Sequence, residues 1–581
     1  MNLTLRDLSQ RLALPLVLIA FVLISLMYSV IVPLGEAPDE VSHWSYVQYL
    51  TTHQRLPIAE GPVAGEAHQP PLYYLLGGFV SFWVPDQQFE SYANPDWYLG
   101  NSETPNLLLH TRRESFPYQG GALAWHLVRL VSVVLGAITV WATYRLAQEV
   151  FPKNQWLALT AAAFVAFLPQ FTFLSAVVNS DNLVITLSAL GLLVFFRSAR
   201  DTRPITFAVL GVLLGLAILA KVSAIALWAA IGFALLIRRQ WLSLGERLGR
   251  IALTFALAAA IGGSWIIYNF VAFGDPILYA RMVNGFPRTE AMTWADWITY
   301  GERMYWSFLG KFGGVTNVGM PLATYAALTM LIGVGMIGVF LLFRDWRTNR
   351  LSSIAREALI AIGLFDILLV VLHMRLETAV LGIDQARQVF AGVPPFGLLV
   401  AAGILRLARR PAAPALIVVC GMGLIGLTNA FAVASAYAPG IQLAGITAPS
   451  SPRMDFGQQI RVLAYRVDPL QVVPGDAVVV EIEWQALKDV TENHWLLLRL
   501  GDSVDPILNK EGVPSGGRLT TDWWQKGQVL TSHHIFVVPK DTAPGTYALW
   551  LGLHPFGKWE WLPVGGGEML PLGKIKVTGN P

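Results

Sequence analysis

The sequence predicts a polytopic α-helical membrane protein of about eleven transmembrane helices that ends in an extracytoplasmic β-sandwich. Three observations carry this prediction. The 581 residues are 54% hydrophobic and only 14% charged, with a mean hydropathy of +0.51, whereas soluble chains run near roughly 25% charged. Apolar runs approaching the roughly 20 residues needed to cross a bilayer recur to about residue 432, with arginines gathered in alternate connections. Beyond about residue 450 the texture changes to short β-rich runs broken by Pro-Gly turns. A net charge of +3 argues for no nucleic-acid partner, and the single cysteine, Cys420, excludes a disulfide framework within the chain.

The first span follows Arg6 and Arg11 and runs from about residue 12 to 34, longer than a signal-peptide core and without a clear cleavage site. Further spans are expected at 125–149, 156–177, 183–197, 205–220, 222–237, 251–271, 322–343, 357–373, 389–405 and 413–432. Starting from a cytoplasmic N-terminus, every inner connection is basic: Arg145 and Lys153; Arg197, Arg200 and Arg203; Arg238, Arg239, Arg247 and Arg250; Arg344, Arg347, Arg350 and Arg356; Arg406, Arg409 and Arg410. That orientation places the long loops 35–124, 272–321 and 374–388, and the C-terminal tail, outside the cell membrane.

The first outer loop is too long for a plain connector. Its "APDEVSHWSYVQYL" and "HQPPLYYLLGGFVSFWV" stretches pair helix-start signals with Trp and Tyr, as interfacial helices do. Residues 1–450 therefore read as a transmembrane domain. Residues 451–581, with "AVVVEIEWQA", "HWLLLRLGD" and "GTYALWLGLH", read as a β-sandwich.

Polar residues at the outer helix ends are the candidates for chemistry. Asp39, Glu40 and Asp181 are the candidate catalytic carboxylates. Asp39 and His43, four apart, share a helix face, while the adjacent Glu40 points elsewhere. Acidic residues after Pro38, and the "VVNSDNL" turn, also suit helix caps. Two carboxylates at one membrane depth suit general-base work on a hydroxyl. Lys221, Lys311 and Arg387, with His43 and His68, are candidates to hold a lipid phosphate, and simple snorkelling is the alternative for Lys221. Tyr73, Trp294, Trp306 and Gln385 are candidate sugar or acceptor contacts. Loop 272–321, with Trp294, Trp297, Tyr305 and Trp306, could close over a donor, although interfacial anchoring fits those aromatics equally. In the C-terminal domain Trp484, Trp523, Trp524, Trp550 and Trp559 suit either a glycan-binding surface or sandwich core. No histidine spacing marks a zinc site, so no metal is predicted.

The ordered series "PDE", "QPPLYYLL", "VRLVSVVLGAITVWATYRLAQEVF", "LPQFTFLSAVVNSDNL", "GLAILAKVSAIAL", "SWIIYNFVAFGDPI", "SFLGKFGG" and "DQARQVFAGVPPFGLL", across roughly residues 10–410, resembles the GT-C fold lipid-dependent glycosyltransferases. Within these it resembles particularly the dolichyl-phosphate-mannose protein mannosyltransferases and the bacterial aminoarabinose transferases, with "PDEVSH" closer to a bacterial membrane-protein branch that carries "PPDE" and a following histidine than to the protein mannosyltransferases. The resemblance implies a GT-C-like fold and a polyprenyl-phosphate-sugar donor. It also implies an inverting transfer to an extracytoplasmic glycan, lipid or protein, Asp39 as general base and Asp181 in support. Gln69 stands where "KPPL" members carry a phosphate-binding lysine, which leaves Lys221, Arg387 or His68 to supply the charge.

Two other functional classes compete with a transferase. A transporter or flippase of lipid-linked sugar would show paired repeats with helices broken near the midplane, and the sequence contains no such repeat. A membrane-anchored glycan-binding protein would not need so many spans.

Overall fold

The computed structural model describes residues 5–57, 65–98, 105–238, 242–438, 454–502 and 505–579, with side chains from residue 12 onward. The side chains of Arg6 and Arg11, Arg239 and the domain boundary expected at 450 lie outside this description. The chain divides into two compact units: residues 1–32, 37–88 and 123–435, and residues 33–36, 89–122 and 436–581.

The first unit is helical. Its elements are α1 (Leu5–Ile31), α2 (Glu40–His53), α3 (Leu72–Ser81), α4 (Gly120–Val150), α5 (Gln155–Ala166), α6 (Pro169–Leu174), α7 (Asp181–Arg197), α8 (Pro204–Ala220) and α9 (Ile225–Ile237). They are followed by α10 (Leu244–Phe273), α11 (Tyr279–Gly285), α12 (Trp294–Gly310), α13 (Leu322–Arg347), α14 (Ser353–Glu377), α15 (Val393–Leu407) and α16 (Ala412–Tyr437). Among the described residues seven helices are long and apolar enough to cross a membrane, which makes this a multi-pass membrane protein, but the expected eleven are not all of that length. The shortfall lies between residues 155 and 237. Pro169 starts a new helix at its first turn and splits the expected 156–177 span into α5 and α6. Lys221, in extended backbone with φ −161°, ends α8 and separates it from α9.

Small residues set how closely the helices approach. A Cβ on Gly338 of α13 would fall 1.9 Å from the carbonyl oxygen of Gly403 on α15, so the two backbones touch there. Gly211 of α8 meets the Thr254 carbonyl of α10 in the same way, at 2.4 Å from an added Cβ.

The second unit is the β-sandwich. Its strands are β1 (Tyr92–Ala93), β2 (Leu108–Leu109), β3 (Met454–Phe456), β4 (Ile460–Asp468), β5 (Gln471–Val472), β6 (Ala477–Ala486), β7 (His494–Gly501), β8 (Pro506–Gly512), β9 (Val529–Val537), β10 (Gly545–Pro555) and β11 (Leu570–Val577). A five-stranded sheet, β5-β11-β10-β7-β8, packs on a four-stranded one, β3-β4-β6-β9. Their pairings are antiparallel except β11 with β5. In β6 every second residue, from Val478 through Val480, Ile482 and Trp484 to Ala486, is buried, the period a half-buried strand demands.

The loop 35–124 does not stay whole. Its first part, α2 and α3, folds with the helices, while residues 89–122 fold with the sandwich. Asn94 donates to the Gly517 carbonyl at 3.0 Å, Thr520 donates to the His110 carbonyl at 2.8 Å, and the Arg112 amide donates to Asp522 at 2.8 Å. Buried Glu36 accepts from the amides of Leu107 and Leu108 and contacts His110 Nε2 at 3.0 Å, while His110 Nδ1 lies 3.0 Å from Glu114.

Candidate active site

Four segments far apart in sequence meet at one ion-pair network in the helical unit. Asp39 sits one residue before α2 in left-handed backbone (φ 59°), which turns its side chain away from the helix start instead of capping it. Asp181 opens α7 and is fixed by a hydrogen bond from its own amide to Asn179 Oδ1, at 2.8 Å. Lys221 projects from the break between α8 and α9, and Arg387 from the 3-10 segment Ala386–Gly392 ahead of α15.

Arg387 divides its guanidinium fork: one nitrogen pairs with Asp39 Oδ2 and the other lies 3.4 Å from Asp181 Oδ2. Lys221 pairs with Asp181 Oδ1 and donates to Gln388 Oε1 at 2.8 Å. Gln385 accepts from Arg387 Nε at 2.9 Å and so orients the guanidinium. Two carboxylates balance two cations, as a buried cluster requires. Exposure is uneven: the side chain of Asp39 is 50% exposed, whereas those of Arg387 and Asp181 are 6% and 2%. Burial raises the Asp39 carboxyl, but the Arg387 guanidinium, aided by His43 and Lys221, outweighs it and holds the group below the usual carboxylate range.

Beside this network lies a second group. His43 Nδ1 contacts the Tyr74 hydroxyl at 2.8 Å and lies 3.7 Å from Glu66. Burial pushes the Glu66 carboxyl up against the pull of His43. Tyr74 stacks on Tyr46 with ring centroids 3.8 Å apart, which locks α3 onto α2.

Several expected site residues take other roles. Glu40 is a correction: it is fully buried and turned toward α4, where it pairs with Arg129 at 2.7 Å and accepts from Trp125 Nε1 and the Val178 amide. Arg129 also donates to the carbonyls of Ser29 and Val32, each at 2.7 Å. This ties α1, α2 and α4 together, and it engages both oxygens of Glu40 in buried structural bonds. Tyr73 is a second correction, since its hydroxyl is taken up by Ser132 at 2.8 Å and the Asn179 amide at 3.0 Å. His68 bonds Gly65 and Gln69, and burial lowers its imidazole to about 4, so at neutral pH it offers a hydrogen bond and no charge.

The other candidates lie on neighbouring elements. Lys311 ends α12 in extended backbone, its amide held by Gln170 Oε1 at 2.8 Å. Trp306 packs edge-on against Tyr325, and Trp294 is 84% exposed at the start of α12. In the sandwich Trp484 and Trp524 are core residues and cannot face a glycan, whereas Trp559 is exposed and stacks on His554. Among the described residues no group of His, Cys, Asp and Glu is placed to hold a metal ion.

Glu66, Tyr74, Gln388 and Arg129 belong to these networks without having been singled out in the sequence. Arg129 carried a signal, a charge in the middle of an apolar run, which is expensive in a membrane unless paired. Glu66 stands two residues before "HQPP", a position to which no local pattern points.

Residues 122–265, about a quarter of the chain, match the family model of dolichyl-phosphate-mannose-protein mannosyltransferase. The matched segment contains Asp181 and Lys221 and excludes Asp39 and Arg387. Among solved structures, ArnT from Cupriavidus metallidurans bound to undecaprenyl phosphate is similar at 15% identity and TM-score 0.42, over 74% of this chain and 66% of that one. The same protein in the apo state is similar at 14% identity and TM-score 0.43, with the same coverage. This chain thus spans 66% of the length of the solved structures it matches. No curated protein matches it.

Proposed function

We propose that the protein is a membrane glycosyltransferase that moves a sugar from a polyprenyl-phosphate carrier to an acceptor hydroxyl on the extracytoplasmic face. The observation that carries this reading is the convergence of Asp39, Asp181, Lys221 and Arg387 from four distant segments into one partly open cluster at helix ends. Such a cluster has the two parts the reaction needs, a carboxylate to take a proton and cations to receive a phosphate. The family-model match over residues 122–265 supports the same reading.

In this mechanism Asp39, the exposed carboxylate, takes the proton of the acceptor hydroxyl while the oxygen attacks the anomeric carbon. The bond from that carbon to the phosphate oxygen breaks, its electron pair leaves with polyprenyl phosphate, and the single displacement inverts the sugar. Arg387 and Lys221 neutralise the departing phosphate, so no acid is required to protonate it. Asp181 holds the two cations together. The basic inner connections support a cytoplasmic N-terminus and a site on the outer side. The acceptor is a glycan, lipid or protein of that compartment, and the segment 272–321, which forms α11 and α12, is the element suited to cover the donor.

The test is native mass spectrometry of the Asp39→Asn protein, gently extracted from its own membranes. A co-purified lipid with the mass of a polyprenyl-phosphate sugar is expected, and its mass names the sugar. A folded protein that repeatedly carries no such lipid overturns the reading.

A further inference from the structure

The ion pairs of the cluster present a physical contradiction that points to how it works. The cations that would receive a phosphate are already engaged: Arg387 with Asp39 and Asp181, and Lys221 with Asp181. The carboxylate that would act as base is paired with Arg387 and held below its ordinary range, which makes it a weak proton acceptor. A donor phosphate and Asp39 therefore compete for the same guanidinium.

The two carboxylates are not equally displaceable. Asp181 is 2% exposed, lies between both cations, and is fixed at the first turn of α7 by Asn179. Asp39 is half exposed, stands outside its helix on left-handed backbone, and among the described residues its side chain bonds only Arg387. Arg387 spends its two terminal nitrogens on two different carboxylates, whereas a phosphate offers two oxygens at the spacing of one fork.

We propose that the donor phosphate replaces Asp39 on Arg387, so that Asp39 serves as an internal stand-in for the phosphate in the resting site and is released as a base only when the donor has bound. The exchange couples occupancy to reactivity: an empty site holds its base in an ion pair, and a filled one sets it free beside the sugar. Asp181 does not exchange and remains the anchor of the two cations. This inference rests on the reading of the cluster as a donor-phosphate site.

The test compares binding of undecaprenyl phosphate to the full-length wild-type, Asp39→Asn and Asp181→Asn proteins in detergent, by titration under native mass spectrometry. Asparagine tolerates left-handed backbone, so Asp39→Asn keeps its local fold. Removing a half-exposed competitor makes Asp39→Asn bind about fivefold tighter than wild type, while Asp181→Asn, which loses the anchor, binds more weakly. Equal or weaker binding by Asp39→Asn overturns the exchange while leaving the donor site standing. Absence of binding by all three proteins removes the donor site itself. The same titration with inorganic phosphate separates headgroup from lipid: a gain in Asp39→Asn for both probes supports exchange at the phosphate, and a gain for the lipid alone overturns it.

Discussion

Replacing Glu40 by glutamine separates structure from chemistry at the acidic stretch that opens the loop 35–124. Glu40 and Arg129 are both fully buried, and the carboxylate receives Arg129 Nε at 2.8 Å, Arg129 Nη2 at 2.7 Å, Trp125 Nε1 at 3.1 Å and the Val178 amide at 2.9 Å. Glutamine keeps one acceptor oxygen but turns an amide donor toward a donor nitrogen and leaves the guanidinium buried without its counter-charge. Breaking one side of such a pair costs about 3–5 kcal/mol. In a unit of this size that corresponds to a fall of about 4–6 °C in the thermal midpoint. The assay is thermal unfolding of the full chain in detergent, followed by tryptophan fluorescence beside Asp39→Asn, which breaks a half-exposed pair and costs about 0–1 kcal/mol. Replacing both partners, Glu40→Leu with Arg129→Met, recovers much of the loss because no charge is stranded. A Glu40→Gln protein with the wild-type midpoint and no transfer would refute the structural assignment and return Glu40 to the chemistry.

Lys221→Met raises the apparent KM for the lipid donor by about tenfold or more and changes kcat less, in steady-state transfer assays; an unchanged KM would mean that Lys221 serves Asp181 alone. His110 lies between Glu36 and Glu114, and although burial lowers its affinity for a proton, the two carboxylates outweigh it and raise it to about 10. Its stabilisation is therefore complete below about 6.5 and is lost as pH rises through about 10. His110→Gln should lower the thermal midpoint of the sandwich transition at pH 7, and its difference from wild type should shrink by pH 10.5; a difference independent of pH would refute the charge assignment. Gly338→Ala forces α13 and α15 apart, since its Cβ would meet the Gly403 backbone at 1.9 Å, and costs about 1–3 kcal/mol. Gly333→Ala, with nothing within 4 Å, leaves the thermal midpoint near wild type or slightly raised.

Much of the site was legible because membrane-embedded charges stand out against apolar sequence. Asp39, Asp181, Lys221 and Arg387 were each readable as polar residues at expected outer helix ends, and the structure brings them together. What could not be read was partnership. Glu40 stood beside Asp39 among the candidate carboxylates, because the arginine that neutralises it lies 89 positions away. The expected spans and the long apolar helices part company between residues 155 and 237, where Pro169 restarts a helix within an apolar run and α7, α8 and α9 are only 17, 17 and 13 residues long. In the sandwich Trp484, which suited core or surface alike, is buried in phase with Val478, Val480 and Ile482. The capture of residues 89–122 by the sandwich depends on side chains such as Asn94 and Asp522, whose partners only the fold supplies.

Turnover is the decisive measurement of whether this cluster transfers sugar from a polyprenyl-phosphate donor. Lipid extracted from the protein's own membranes is incubated with purified wild-type and Asp39→Asn protein and followed by mass spectrometry. Wild type is expected to convert a polyprenyl-phosphate sugar to polyprenyl phosphate with the sugar appearing on an acceptor, and Asp39→Asn is not. Equal conversion by both proteins, or none by a folded wild type supplied with donor and acceptor, would contradict that expectation.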